Sequence, residues 1–243
     1  MQKLHRIFLL LFIFAVAMGF LEGIVVVYVR QLYYPSGFDF PLTLLSPEML
    51  KIEWLREITT LVMLGSIAWI AGRNFIQRLS FFLFTFGIWD IFYYVLLKWI
   101  LDWPSSLLTW DVLFLIPVPW LGPLLAPVIC SLVMILMAFL YTYLAEAGKP
   151  LKIKVSDWLL LLGGSAVIFF TFIRDYLKLI SNSNILTNGN NSAVKEEFWR
   201  AITSFIPGHY SWGLFITGLL LILISIFMVV RRAIFHNSLH RQL

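Results

Sequence analysis

The sequence predicts an all-α, polytopic membrane protein: a helical bundle of about six transmembrane helices in a single domain spanning 1–243. Three observations carry that prediction. The first is composition. Of 243 residues, 60% are hydrophobic, 17% aromatic and only 13% charged, and the mean hydropathy is +0.89. Soluble domains run nearer about 45–50% apolar and about 25% charged, so a water-solvated core does not account for this excess. The second is run length. A helix needs about 20 apolar residues to cross ~30 Å of hydrocarbon, and six stretches qualify: 7–29, 51–71, 79–100, 112–144, 157–176 and 209–230. The third is where the charges fall. The formal charge is +5, but the basic residues sit mostly at the ends of apolar runs, as topology signals do, and form no stripe for nucleic acid.

The first span begins as MQKLHRIFLLLFIFAVAMGF, which imitates a secretory signal with Ala15-Val16-Ala17 as a cleavage-like site. The apolar run continues to Val29, so an uncleaved transmembrane helix is the expectation. The second span has a readable start: Ser46 caps, Pro47 suits the first helical position and Glu48 favours the positive helix end. The third contains FGIWDIFYYVLLKWI, with Asp90 near its middle. The fourth opens on DVLFLIPVPWLGPLLAPVIC, where Pro117, Pro119, Pro123 and Pro127 each remove a backbone donor. A broken or re-entrant segment near 111–127 is expected there, a backbone tolerated only when buried in protein or lining a cavity. The fifth holds Gly163-Gly164, which permits close packing. Before the sixth lies an outer loop, 177–208. In it SNSNILTNGNNS reads as polar and disordered, and Val194, Phe198, Ile202 and Phe205 make one face of a short interfacial helix.

With the N-terminus inside, Lys3, Arg6, Arg73, Arg78, Lys149, Lys152, Lys154, Arg231, Arg232 and Arg241 all fall on the inner side. Both termini are therefore expected in the cytoplasm. Trp54, Trp99, Trp103, Trp110, Trp199 and Trp212 gather near outer span ends, as interfacial rings do. Compact loops and the lone Cys130, which excludes an internal disulfide, suit a bacterial inner membrane.

The candidate site comes from charges set too deep to reach water. At 1.5 Å per residue, Asp90 lies ~15 Å below the outer end of its helix, and Glu22 and Glu57 lie ~10 Å deep. A charge at the bilayer centre costs at least ~2.5–3.5 kcal/mol, so the economical arrangement is one internal pocket open to the outside. Glu22, Glu57 and Asp90 would serve there as general acid/base groups, with Tyr94 and His209 as proton donors. Arg56, Lys98 and Arg174, with Trp89 and Trp120 as aromatic walls, would hold substrate. Glu22, Glu57, Asp90 and Asp111 are also the candidate ligands of a divalent cation. Each has a plainer reading. Glu53, Arg56 and Glu57 make a local ion pair, Lys98, Arg174 and Asp175 snorkel, Asp111 caps, His209 is interfacial, and Asp90 pairs with Lys98 or Arg56 to hold helices together.

No GxxxxGK[ST], GxGxxG, HExxH or CxxC motif is present, so nucleotide and zinc-hydrolase fingerprints are missing. Four histidines, with only His209 near the pocket, leave no pair for an intramembrane haem; His236 and His240 lie in the basic tail. Three functions stay open. The first is a membrane-embedded enzyme, metal-dependent or not, acting on a lipid-like or isoprenoid substrate that enters sideways from the membrane lipid. The second is a cation- or proton-coupled transporter, which needs a polar route through an inner half offering only Ser66, Thr85 and Ser131. The third is a non-catalytic subunit or scaffold.

Overall fold

The computed structural model describes residues 2–43, 45–149, 151–183 and 192–239. The stretch 184–191, within the expected disordered loop, and His240 and Arg241 of the tail lie outside them. Among the described residues the elements are α1 (Gln2–Tyr33), α2 (Pro47–Ala71), α3 (Phe75–Leu101), β1 (Trp110–Phe114), β2 (Trp120–Pro123), α4 (Leu125–Glu146), α5 (Val155–Asn182), α6 (Ser192–Thr203) and α7 (Trp212–Leu239). Six of the seven helices are long and apolar enough to cross a membrane, in keeping with an integral membrane protein.

The ends of these helices follow the local chemistry. Ser46 accepts the Met49 N–H at 3.2 Å, and Pro47 occupies the first turn. Asn74 caps α3 through the Gln77 N–H at 3.0 Å. Asp157, in the first turn of α5, accepts the Lys154 N–H at 2.7 Å. Within the spans, Thr85, Thr142 and Ser165 donate back to carbonyls one turn earlier, so their hydroxyls are satisfied within their own helices.

Helices in lipid gain little from apolar burial against one another, so close packing falls to small residues. Gly19 of α1 abuts the Trp89 carbonyl and Tyr93 nitrogen of α3; Gly87 of α3 abuts the Ser131 carbonyl of α4; Gly164 of α5 faces the Gly218 carbonyl of α7. These seams define two groups, α1–α4 and α5 with α7. The half of the first group nearer the N-terminus is filled by Leu4, Phe8, Leu11, Ala15, Ala68, Phe81, Phe84, Ile88 and Ala138.

The largest departure from expectation is the proline-rich stretch. It is neither a broken helix nor a re-entrant one but an antiparallel hairpin, pairing Asp111 with Gly122, Val112 with Leu121 and Phe114 with Trp120 around a bulge. Pro117 and Pro119 fall in the turn between strands, and Pro123 ends β2, where a missing donor costs no ladder bond. The fourth span accordingly starts at Leu125, not Val112.

Candidate functional site

The hairpin sits across one end of a cavity of about 610 Å³. Leu113, Phe114, Ile116 and Trp120 roof it; α3, α4, α5 and α7 wall it, with Leu61 from α2. On α5 the lining runs from Trp158 to Phe172, which at 1.5 Å per residue is ~21 Å of depth. Leu162, 61% exposed, and Ser165, also exposed, belong to that lining. The lining thus reaches lipid-exposed positions near the middle of α5. Among the described residues its lining holds no arginine, lysine, histidine or glutamate, and the acidic and thiol members are Asp90 and Cys130. Asp90 accepts a hydrogen bond from the Ser131 hydroxyl at 2.8 Å. Trp89 and Trp120, predicted as aromatic walls, both line the cavity. Phe114 lies 5.5 Å from the Trp120 ring and packs against the cluster of Met18, Leu64 and Trp89.

The other predicted carboxylates lie elsewhere, each engaged by its own partner. Glu22 pairs with Arg56 and accepts the Thr60 hydroxyl at 2.8 Å. Arg56 also grips Glu53 through Nε at 3.0 Å and Nη2 at 2.7 Å. Glu57 accepts the Leu115 N–H, both oxygens at 3.0 Å. Asp111 accepts from Arg30 at 3.1 Å, while the Arg30 guanidinium lies 3.7 Å from the Trp103 ring centre and 4.2 Å from that of Phe38. Tyr94 is buried beside Asp111. Burial pushes the Asp111 carboxyl up to about 6, against the pull of Arg30, the Val112 N–H and Tyr94.

The expected single chamber is therefore divided. Glu22, Glu57, Arg56, Asp111 and Tyr94 form a network of α1, α2, α3 and the hairpin; Asp90, Trp89 and Trp120 belong to the cavity. The reason is stoichiometric: Arg56, Arg30 and the Leu115 N–H engage the outer acids one by one before they can converge. Among the described residues no three Asp, Glu, His or Cys side chains gather as a metal ion requires, so the cation set Glu22, Glu57, Asp90 and Asp111 is not brought together. Lys98 turns to Asp102 at 2.7 Å and to the Pro104 carbonyl at 3.2 Å, and its hydrogen bond holds Asp102 below the usual carboxylate range. Arg174 bonds Ser211, and His209 is exposed. None of these three lines the cavity.

Two features escaped the sequence. Arg30 closes the run VVVYVR and reads as a loop charge; only the distant Asp111 and Trp103 reveal it as buried. Asp157 reads as the edge of a span, yet it pairs with Arg232 of α7, and its carbonyl accepts the Ser225 hydroxyl at 2.8 Å. The cavity-facing role of Ser131 likewise depends on a partner 41 residues away. No protein-family model, curated protein or solved structure matches the chain.

Proposed function

We propose that the protein is a membrane-embedded enzyme that admits a lipid-like molecule from the bilayer through the side of the bundle and exchanges a proton with its polar end at Asp90. The observation that carries this reading is the cavity: a long, apolar chamber whose lining includes the exposed Leu162 and Ser165, taken here as its lateral mouth, and, among the described residues, one carboxylate, Asp90. An apolar pocket with a few polar groups is the usual form of a ligand site. Asp90 serves as the general acid or base, and the Ser131 hydroxyl orients it. Glu22, Glu53, Arg56 and Glu57, with Arg30 and Asp111, act as positioning residues that seat the hairpin roof. The distribution of Lys3, Arg6, Arg73, Arg231 and Arg232 supports cytoplasmic termini in a bacterial inner membrane, with the hairpin outward.

The test uses wild type and Asp90→Asn purified in nanodiscs built from host lipid extract. Mass spectrometry of the retained lipid should find, in Asp90→Asn, a molecule that wild type converts to a different mass. A cavity-filling variant, Leu161→Trp, should retain several-fold less of it. The same lipid in all three proteins, at the same occupancy, refutes the reading.

A further inference from the structure

The cavity also discriminates by charge, and this inference rests on the reading that a lipid-like molecule occupies it. A phosphate or carboxylate head needs a cation or several directed donors. Among the described residues the lining supplies no arginine, lysine or histidine; Arg56 is already held by Glu22 and Glu53, Arg30 by Asp111, and Arg174, which lies outside the lining, bonds Ser211. An anionic head here would meet a carboxylate and nothing to neutralise it. The opposite charge is provided for. Asp90 has one protein donor, Ser131, and a carboxylate accepts several more hydrogen bonds. It is flanked by Trp89 and Phe86 in a wall continued by Phe114 and Trp120, and aromatic faces attract cations most strongly when desolvated.

The placement of Asp90 also orients the occupant. On α3 the lining extends from Leu79 outward to Asp90, which is its outermost member. A chain anchored at Asp90 therefore runs inward, towards Leu79 and Trp158, where Phe75 packs 6.1 Å from the Trp158 ring. We propose that the cavity selects a single-chain amphiphile with a cationic amine head, held at Asp90 with its tail directed to the cytoplasmic side, and excludes phosphate-headed lipids.

Full-length protein in nanodiscs is titrated with three probes of equal chain length: ω-brominated dodecylamine, dodecanol and dodecyl phosphate. Bromine quenching of tryptophan is the readout, and Leu161→Trp gives the background from the surrounding bilayer. The amine should half-saturate at a concentration at least tenfold below the alcohol, and the phosphate should not exceed background. Asp90→Asn should bring the amine to the value of the alcohol while leaving the alcohol unchanged. Equal binding of amine and alcohol, binding of the phosphate, or an amine preference that survives in Asp90→Asn overturns the charge selection alone. If none of the probes exceeds background, lipid binding in the cavity falls, and the proposed function with it.

Discussion

Replacing Asp111 by asparagine tests whether the roof of the cavity is held by charge. The substitution keeps the shape of the side chain but leaves the Arg30 guanidinium, 6% exposed, without its anion. Removing one partner of a buried ion pair costs about 3–5 kcal/mol, because the remaining charge stays desolvated. Arg30 keeps its two aromatic faces, Trp103 and Phe38, and such contacts are worth roughly 1–2 kcal/mol when desolvated. Those contacts are present in both proteins and cancel in the difference, so the loss expected for Asp111→Asn near neutral pH is about 3–5 kcal/mol. The assay is a double-mutant cycle with Arg30→Met, unfolding each protein in mixed micelles and following helix content. Methionine fills much of the arginine volume without a charge, so Arg30→Met/Asp111→Asn should be more stable than Asp111→Asn alone. A pairwise coupling of at least about 1 kcal/mol is expected for groups in direct contact. If the double variant loses the sum of the two single losses, the pair does not seat the hairpin and the account of the roof is wrong.

The same unfolding assay separates two adjacent glycines. A methyl group on Gly164 would lie 2.6 Å from the Gly218 carbonyl, a backbone atom that cannot swing aside, whereas one on Gly163 meets nothing within 4 Å. Gly164→Ala should lose about 1–3 kcal/mol by overpacking, and Gly163→Ala should gain up to about 1 kcal/mol from helix propensity; equal effects would dissolve the α5–α7 seam. At the inner end, Asp157→Ala strands Arg232 and the Lys154 N–H together, with an expected loss of about 3 kcal/mol. A loss below about 1 kcal/mol would mean that Arg232 simply turns to water.

What the sequence made legible, and what it hid, divides along a physical line. Properties fixed within one helix were readable: the apolar run that sets a span, the Ser46 cap, and the depth of Asp90, which follows from counting residues. Properties fixed between helices were not. Gly163 and Gly164 are indistinguishable until α7 arrives against one of them. The four prolines report missing donors, and a missing donor suits a hairpin turn as well as a helix break; the pairing of Val112 with Leu121 is what decides. Most consequential was the allocation of partners. Counting buried acids suggested a common chamber, because each alone seemed to require relief from lipid. The relief is local instead: Arg56, 34 positions after Glu22 in the chain, reaches Glu22 and Glu53 together, Arg30 takes Asp111, and the Leu115 N–H takes Glu57. Once those are paired, Asp90 is the carboxylate left beside open volume, with a serine hydroxyl and aromatic walls. Asp90, the acid proposed to act, is set apart by its place beside open volume, and that is a property of the packed bundle, not of its own helix.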